Sequence, residues 1–155
     1  MRYVRRVLQP GETIVYTAKL HWIVYLWAIF LLIVCFVLAI AAWSQNDKPN
    51  ISLALAIAAV IFALLALSSA FRAFIRRTTT ELAITDRRVI YKTGLIARHT
   101  IEMNRRQVES VDVNQTILGR MIGYGTIIVR GTGGSLEPMH RIDSPLTFRN
   151  HITAS

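Results

Sequence analysis

The sequence predicts an α+β membrane protein, in which a two-helix transmembrane hairpin is followed by a small antiparallel β-barrel or sandwich with a C-terminal capping helix. Three observations lead to this class. The chain has 155 residues, of which 53% are hydrophobic, and a mean hydropathy of +0.41. Its formal net charge is +9. Two long uncharged runs precede short alternating stretches, so a membrane protein carrying a small basic domain accounts for both the hydropathy and the charge.

Two apolar runs account for most of the hydropathy. Residues 22–43 and 51–71 contain no charged side chain. At about 1.5 Å of rise per residue, each run is long enough to cross a hydrocarbon core of about 30 Å. The polar turn 44–50 joins them, so we expect a transmembrane hairpin over residues 22–71. This division leaves an N-terminal segment, 1–21, and a cytoplasmic domain, 72–155.

The charges beside the two runs predict the orientation of the hairpin. Four basic residues occur in the first 21 positions, and Arg72, Arg76 and Arg77 follow the second run. The turn between the runs holds only Lys48, beside Asp47. Because Lys and Arg concentrate in cytoplasmic segments, we expect a multi-pass protein of the cytoplasmic membrane with both termini in the cytoplasm.

The second run also carries a strip of small side chains. Its members recur at spacings of four and three: Ser52, Ala56, Ala59, Ala63, Ala66 and Ala70. Such a strip permits the close approach of another helix, either the first helix of the same chain or a helix of a neighbouring protomer. Neither run contains a charged residue or a histidine, so a transport path within one chain is not indicated.

Residues 72–155 have the pattern of a small basic β-rich domain. They contain 13 Lys or Arg against seven Asp or Glu. Alternating apolar positions and turn residues predict five or six short strands: 81–85, 88–92, 95–103, 108–113, 126–129 and 136–142. Strands at this spacing favour a barrel or a sandwich over a parallel sheet.

Two helical patterns interrupt this β-rich region. In the first, Ile117, Leu118, Met121 and Ile122 stand at helical spacing before the stop signal of Gly123. The second follows Ser144, an expected N-cap, with Pro145 at the first helical position. Its apolar residues, which we expect to be buried against the end of the barrel, are Leu146, Phe148 and Ile152.

Several of these stretches resemble a known family. The segments LAITDRRVIYKTGLI (82–96), VESVDVNQTILGRMIGYGTIIV (108–129) and IDSPLTFRNHI (142–152) are similar to the bacterial pleckstrin-homology-like domain of YdbS-type membrane proteins. The segment LQPGETIVYTAKLHW (8–22) resembles the one that precedes the helical hairpin in that family. The resemblance implies a bent antiparallel sheet closed by a C-terminal helix, and it implies little about activity.

A candidate anionic-lipid surface is formed by six basic residues: Arg87, Arg88, Lys92, Arg98, Arg105 and Arg106. The inositol-phosphate pattern of eukaryotic pleckstrin-homology domains maps onto Lys92, Arg98 and Thr100, so its last basic position is missing here. A tether would hold the basic residues near a leaflet whose anionic lipids attract each of them by about 1 kcal/mol. The alternative is that they are solvated outer faces of strands that pair with nearby carboxylates.

Catalytic and metal-binding patterns are not found in the sequence. The four histidines never stand three or four residues apart, which excludes a helical metal pair, and the single cysteine, Cys35, excludes a multi-thiolate site. No serine lies in a nucleophile elbow, and no glycine cluster matches a phosphate loop. We therefore expect no enzyme, no cofactor and no resident metal. Nucleic acid is not an expected partner, because an aromatic stacking platform is missing.

Three hypotheses for function follow. The first is a membrane-anchored, non-enzymatic interaction or scaffold module, which presents the basic domain at the cytoplasmic face and associates with itself or with a partner membrane protein. The second is a lipid-sensing accessory subunit of a transporter or an envelope-stress system, with anionic membrane lipids as the ligand. The third is an enzyme or an oligomeric pore, which would need several hairpins to enclose a channel.

Overall fold

The computed structural model describes residues 3–95, 97, 99–132, 134–135 and 138–153. The chain divides into two compact units. One is Trp22–Ile75, and the other combines Met1–His21 with Arg76–Ser155. The N-terminal segment, which the sequence analysis set apart from the basic domain, therefore belongs to the same unit as the C-terminal half. We call Trp22–Ile75 the helical unit, and the unit that combines Met1–His21 with Arg76–Ser155 the sheet unit.

The elements are, in chain order, α1 (Val4–Val7), β1 (Ile14–Ala18), a 3-10 turn (Trp22–Tyr25), α2 (Leu26–Ser44), α3 (Pro49–Thr79), β2 (Glu81–Thr85), β3 (Arg88–Thr93), β4 (His99–Asn104), a 3-10 turn (Arg105–Gln107), β5 (Val108–Asn114), α4 (Ile117–Ile122), β6 (Tyr124–Gly131), β7 (Gly134–Ser135), β8 (Met139–Asp143) and α5 (Pro145–Thr153). The α+β class and the two apolar helices agree with the prediction.

By length and composition, α2 and α3 are each able to cross a membrane. The second helix is longer than the apolar run 51–71, because it continues to Thr79. Alanine and arginine after residue 71 favour the helix, and it ends at the threonines 78–80, whose branched side chains are poorer helix formers. The last residues of α3, 76–79, therefore belong to the sheet unit.

The two apolar helices contact each other inside the helical unit. The Ser52 hydroxyl donates to the Ala42 carbonyl at 2.9 Å, and the Cys35 thiol donates to the Ala59 carbonyl at 3.3 Å. Ala59 and Ala66 are buried, whereas two other members of the small-residue strip, 56 and 63, are exposed. The strip is thus divided between a face that contacts α2 and a face that does not.

The first sheet has the strand order β1-β2-β3-β4, and every neighbouring pair is antiparallel. Ala18 pairs with Leu82, so the end of β1 lies beside the start of β2. Between these two neighbouring strands the chain forms both apolar helices. The helical unit is therefore an insertion between the first two strands of one sheet.

The second sheet is built around β6, which pairs with β5 on one side and with β7 and β8 on the other. An isolated bridge between Leu20, which follows β1, and Ile142 of β8 connects the two sheets. The described residues form two antiparallel four-stranded sheets rather than a closed barrel. The prediction left a barrel and a sandwich open, and of these the closed barrel is not formed, because alternation along each strand indicates one buried face without specifying which strand edges meet.

Two predicted strands have different bounds in the structure. The stretch 95–103 was predicted as one strand, but β4 begins at His99, and Ile96 and Arg98 lie outside the described residues. The stretch 136–142 contributes β8 from Met139 onward, while residues 136 and 137 also lie outside the described part.

The C-terminal helix packs against β1 of the first sheet and against β5 and β6 of the second. Phe148 and Ile152 are buried as predicted. Leu146 is 48% exposed, which corrects the expectation that it is buried. Ser144, the expected N-cap, has a φ of 49° and therefore lies in the left-handed region, unlike the extended backbone of most N-cap residues.

Candidate interaction surface

The N-terminal segment is fixed to the first sheet by a buried ion pair. The Glu12 carboxylate accepts two hydrogen bonds from the Arg88 guanidinium, each 2.9 Å long. It also accepts hydrogen bonds from the Thr85 hydroxyl at 2.7 Å and from the backbone N–H of Gln9 at 2.8 Å. Arg88 pairs in addition with Glu102. The guanidinium therefore connects the N-terminal segment to two strands.

This arrangement changes the titration of both partners. The hydrogen bonds from Arg88 lower the pKa of the Glu12 carboxyl from 4.5 to about 2, in spite of the opposing effect of burial. The same pairing raises the pKa of Arg88. Glu12 is thus ionised throughout the neutral range, and Arg88 is held by internal carboxylates.

Lys92 of β3 pairs with Glu81 of β2. The side chain of Lys92 binds the end of α3, and that of Glu81 binds the start of α1. The Lys92 ammonium donates to the Thr79 carbonyl at 3.0 Å, at the last residue of α3, where a cation also interacts favourably with the helix dipole. The Glu81 carboxylate accepts the backbone N–H groups of Tyr3 and Val4 at 3.1–3.3 Å. Both buried side chains therefore have structural roles.

Arg105 holds the C-terminal helix. Its guanidinium donates to the carbonyls of His151 and Ile152, at 2.7 Å and 3.2 Å. These carbonyls belong to the last turn of α5, where the helix leaves its carbonyl groups without partners. Arg105 therefore links the end of β4 to the terminal helix.

Arg87 and Arg106 are the exposed members of the predicted basic surface. The structure brings them close together, because the backbone N–H of Arg105 donates to the Arg87 carbonyl at 2.8 Å. They lie at the end of β2 opposite Glu81, about 13 Å along a strand of five residues. Lys92 lies at the Glu81 end, so it does not adjoin Arg87 and Arg106. Arg98 lies outside the described residues.

The opposite end of the sheet unit presents an apolar surface that the sequence analysis did not single out. Ile117, Leu118 and Met121 of α4 are 84%, 63% and 79% exposed. Their helical spacing was visible in the sequence, but such spacing alone cannot distinguish a buried face from an exposed one. We call these three side chains the α4 patch.

The described residues offer two kinds of contact surface, one charged and one apolar. Among them, no group of three or more His, Cys, Asp or Glu side chains is placed to hold a metal ion. Their acidic side chains include Glu12 and Glu81, both engaged in contacts that hold the fold together. The surface therefore offers charge pairing at Arg87 and Arg106 and apolar contact at the α4 patch.

Comparison with known protein families identifies the chain. The family described as bacterial PH domain matches residues 49–155, which is more than half of the sequence. No match was found among curated proteins or among solved structures. The matched residues include α3 and all later elements, whereas β1 lies outside them. With two antiparallel sheets, a terminal helix and this match, the chain belongs to the bacterial PH domain family.

Proposed function

We propose that this protein is a membrane-anchored, non-enzymatic interaction module, which presents its PH-like sheet unit at the cytoplasmic face. Two facts support this. The family is one of interaction domains, and two helices of membrane-crossing length interrupt its sheet unit. The described surfaces suit binding rather than catalysis, because the charged side chains of the interior are committed to structural pairs.

The observation that carries the proposal is the pairing of β1 with β2. Ala18 and Leu82 are neighbours in one sheet, although α2 and α3 separate them in the sequence. A folded sheet lies on one side of a membrane, since unpaired backbone groups are not tolerated in the hydrocarbon core. The chain therefore leaves and returns on the same side. If α2 crosses the membrane, α3 must cross back.

The distribution of charged residues supports the cytoplasm as that side. Arg72, Arg76 and Arg77 follow the second apolar run, and Lys48 stands beside Asp47 in the turn. The excess of basic residues at the sheet unit favours the cytoplasm for both termini. Pairing of strands and distribution of charge are independent arguments, and they agree on a two-crossing hairpin.

Cysteine labelling in intact cells tests this topology. In a Cys35→Ala background, Lys48→Cys in the turn should react with a membrane-impermeant thiol reagent from outside. Glu109→Cys, exposed on β5, should react only after the membrane is opened. If both positions react from outside, or if neither position distinguishes intact from opened cells while the chain is extracted by alkaline carbonate, the membrane-anchored reading is contradicted.

We further propose that the module self-associates or binds a partner membrane protein. Confinement to one surface raises the effective concentration of each copy, so weak contacts become sufficient. The intact protein purified in mild detergent should therefore have a mass above that of one 17.5 kDa chain after correction for detergent, or should retain a second protein. A pure monomer with no retained protein contradicts this part of the proposal.

Lipid sensing is the narrower alternative. Arg88, Lys92 and Arg105 contribute to internal contacts, so this alternative depends chiefly on Arg87 and Arg106, together with Arg98, which lies outside the described residues. A fragment that begins at Arg76 is not a suitable test, because it lacks β1 and the carboxylate of Glu12. Lipid binding is properly measured with the full chain.

A further inference from the structure

The α4 patch is held in a defined conformation although it is exposed. The Thr116 hydroxyl caps the helix by accepting the Gly119 N–H at 3.0 Å, and Gly123 ends it with a φ of 88°. A Cβ at Gly119 would lie 2.7 Å from the Tyr124 carbonyl, so the inner face of the helix contacts the sheet closely. Because that inner face is held against the sheet, the apolar side chains on the other face of the helix point outward.

The patch is as exposed as the side chains of the apolar helices. Ile117 and Met121 are 84% and 79% exposed, compared with 69% for Leu67 in α3. Large apolar side chains this accessible, and adjacent on one helix face, indicate a contact surface. The remaining question is which partner covers it.

The position of α4 in the sheet unit answers this question. Tyr124 directly follows the helix, and its ring lies 5.6 Å from that of His21. His21 is the last residue of the sheet unit before the chain continues into the helical unit at Trp22. A helix of six residues is only about 9 Å long. The whole patch is therefore close to the point where the chain leaves for the apolar helices.

The neighbouring charges have the sign that anionic lipid requires. Lys19, Arg120 and Arg141 are exposed at this end, where the described residues include one acidic side chain, that of Asp143. Lys19 is placed there by its carbonyl, which accepts the Asp143 N–H at 3.0 Å. Apolar side chains surrounded by basic ones are the composition of segments that bind at membrane interfaces.

We propose that Ile117, Leu118 and Met121 insert into the headgroup region of the leaflet from which the hairpin emerges, with Lys19, Arg120 and Arg141 beside the lipid phosphates. The proposal rests on the proposed function, because a crossing hairpin is what brings Trp22 to that leaflet. A second copy of the chain is the weaker candidate. A stable dimer interface buries about 800 Å² per partner, which is more than three side chains provide. A symmetric contact would also bring Arg120 of one chain against Arg120 of the other, and the two positive charges would repel.

Depth-dependent quenching in lipid vesicles tests this inference with the full chain. A fluorescent label is placed on Met121→Cys in a Cys35→Ala background, and quenchers are carried by the lipids. The label should report a depth of about 5–10 Å below the headgroup boundary. The same label on Glu109→Cys, at the far end of β5, should not be quenched. Adding Ile117→Asp to the Met121→Cys chain should abolish most of the quenching, because a charge opposes insertion.

A third label separates this inference from the proposed function. Val37→Cys lies within α2 and is quenched by deep quenchers only if that helix crosses the bilayer. Quenching at position 37 without quenching at 121 overturns the inference and leaves the anchored module standing. Quenching at 121 without deep quenching at 37 contradicts the crossing hairpin, and it overturns the inference as well, because the patch then meets lipid without a hairpin that emerges from that leaflet. If neither position is quenched, both proposals fail. Self-quenching at 121 without lipid quenching means that a second copy covers the patch, and overturns the inference.

Discussion

Replacing Gly131 with alanine is expected to disrupt the second sheet. Gly131 ends β6 and pairs with Val108. A Cβ at this position would lie 2.3 Å from the Gln107 carbonyl oxygen and 3.0 Å from the Met103 sulfur. The carbonyl belongs to the backbone that connects β4 to β5, so it cannot rotate aside as a side chain would. We expect a loss of about 3 kcal/mol or more, at the upper end of overpacking effects.

Hydrogen exchange followed by mass spectrometry is the suitable measurement, with the full chain in detergent. All three tryptophans lie at positions 22–43, so their fluorescence reports the helical unit rather than the sheets. Peptides that cover β5 and β6 should exchange at least about a hundredfold faster in the Gly131→Ala variant, since each 1.4 kcal/mol corresponds to a factor of ten.

Gly123→Asn is the matched control. Gly123 has a φ of 88°, and no atom lies within 4 Å of a Cβ built there, so the position requires a backbone conformation rather than space. Asparagine adopts this conformation more readily than other residues with a Cβ. Its exchange should stay near that of the wild type. If the Gly131→Ala variant behaves in the same way, the close approach of β6 to the β4–β5 connection is wrong.

The second large effect is expected for Glu12→Gln. The Glu12 side chain is 0% exposed and that of its partner Arg88 is 16% exposed, so removal of the carboxylate leaves a largely buried guanidinium with Glu102 as its remaining ionic partner. Breaking such a pair by changing one side is costly, and we expect a loss of about 2–4 kcal/mol. The loss should be concentrated in β1, because Glu12 precedes that strand and Arg88 begins β3.

The pH dependence of this effect has a definite sign. The pKa of Glu12 falls from 4.5 to about 2 in the folded chain, chiefly through its hydrogen bonds with Arg88. A carboxyl with a lowered pKa stabilises the fold fully above its unfolded pKa, and this stabilisation is lost as the pH falls through the folded value. The difference in stability between wild type and Glu12→Gln should therefore be complete above about pH 4.5 and disappear toward pH 2.

Glu109→Gln, at an exposed position of β5, is the control for a change of carboxylate to amide. It should leave exchange of peptides from β1 and β2 unchanged, whereas Glu12→Gln should accelerate it about 30-fold or more. Equal exchange in the two variants, or a difference that persists unchanged at pH 2, would show that the Glu12–Arg88 pair does not hold the N-terminal segment.

Much of the fold was predictable because its signals are local. The two apolar helices follow from uncharged runs near residues 22–71, and the terminal helix follows from Pro145 and the spacing of Phe148 and Ile152. The alternation of Val89 with Tyr91 was sufficient to place a strand. Each of these patterns reflects the repeat of one helix or one strand, which neighbouring residues specify by themselves.

The interaction surface was less predictable, because it depends on pairs that are distant in the sequence. Arg88 was grouped with a lipid-facing surface, but its carboxylate partner stands 76 residues earlier. Lys92 was assigned to the same surface, and its ammonium donates to the Thr79 carbonyl at the end of α3. A basic side chain looks the same in the sequence whether its partner is water, a lipid phosphate or a buried carboxylate.

Local patterning was therefore enough to predict an α+β chain with two apolar helices and a basic β-rich part, and the family was indicated by the resemblance of whole segments rather than by patterning. Tertiary structure alone placed residues 14–18, which precede the two apolar helices in the sequence, as the first strand of that part. It also showed that the α4 patch is exposed. The reason is physical: strand order and the exposure of a helix face depend on which distant edges pair and which surfaces remain uncovered, and the repeat of a single element carries neither kind of information.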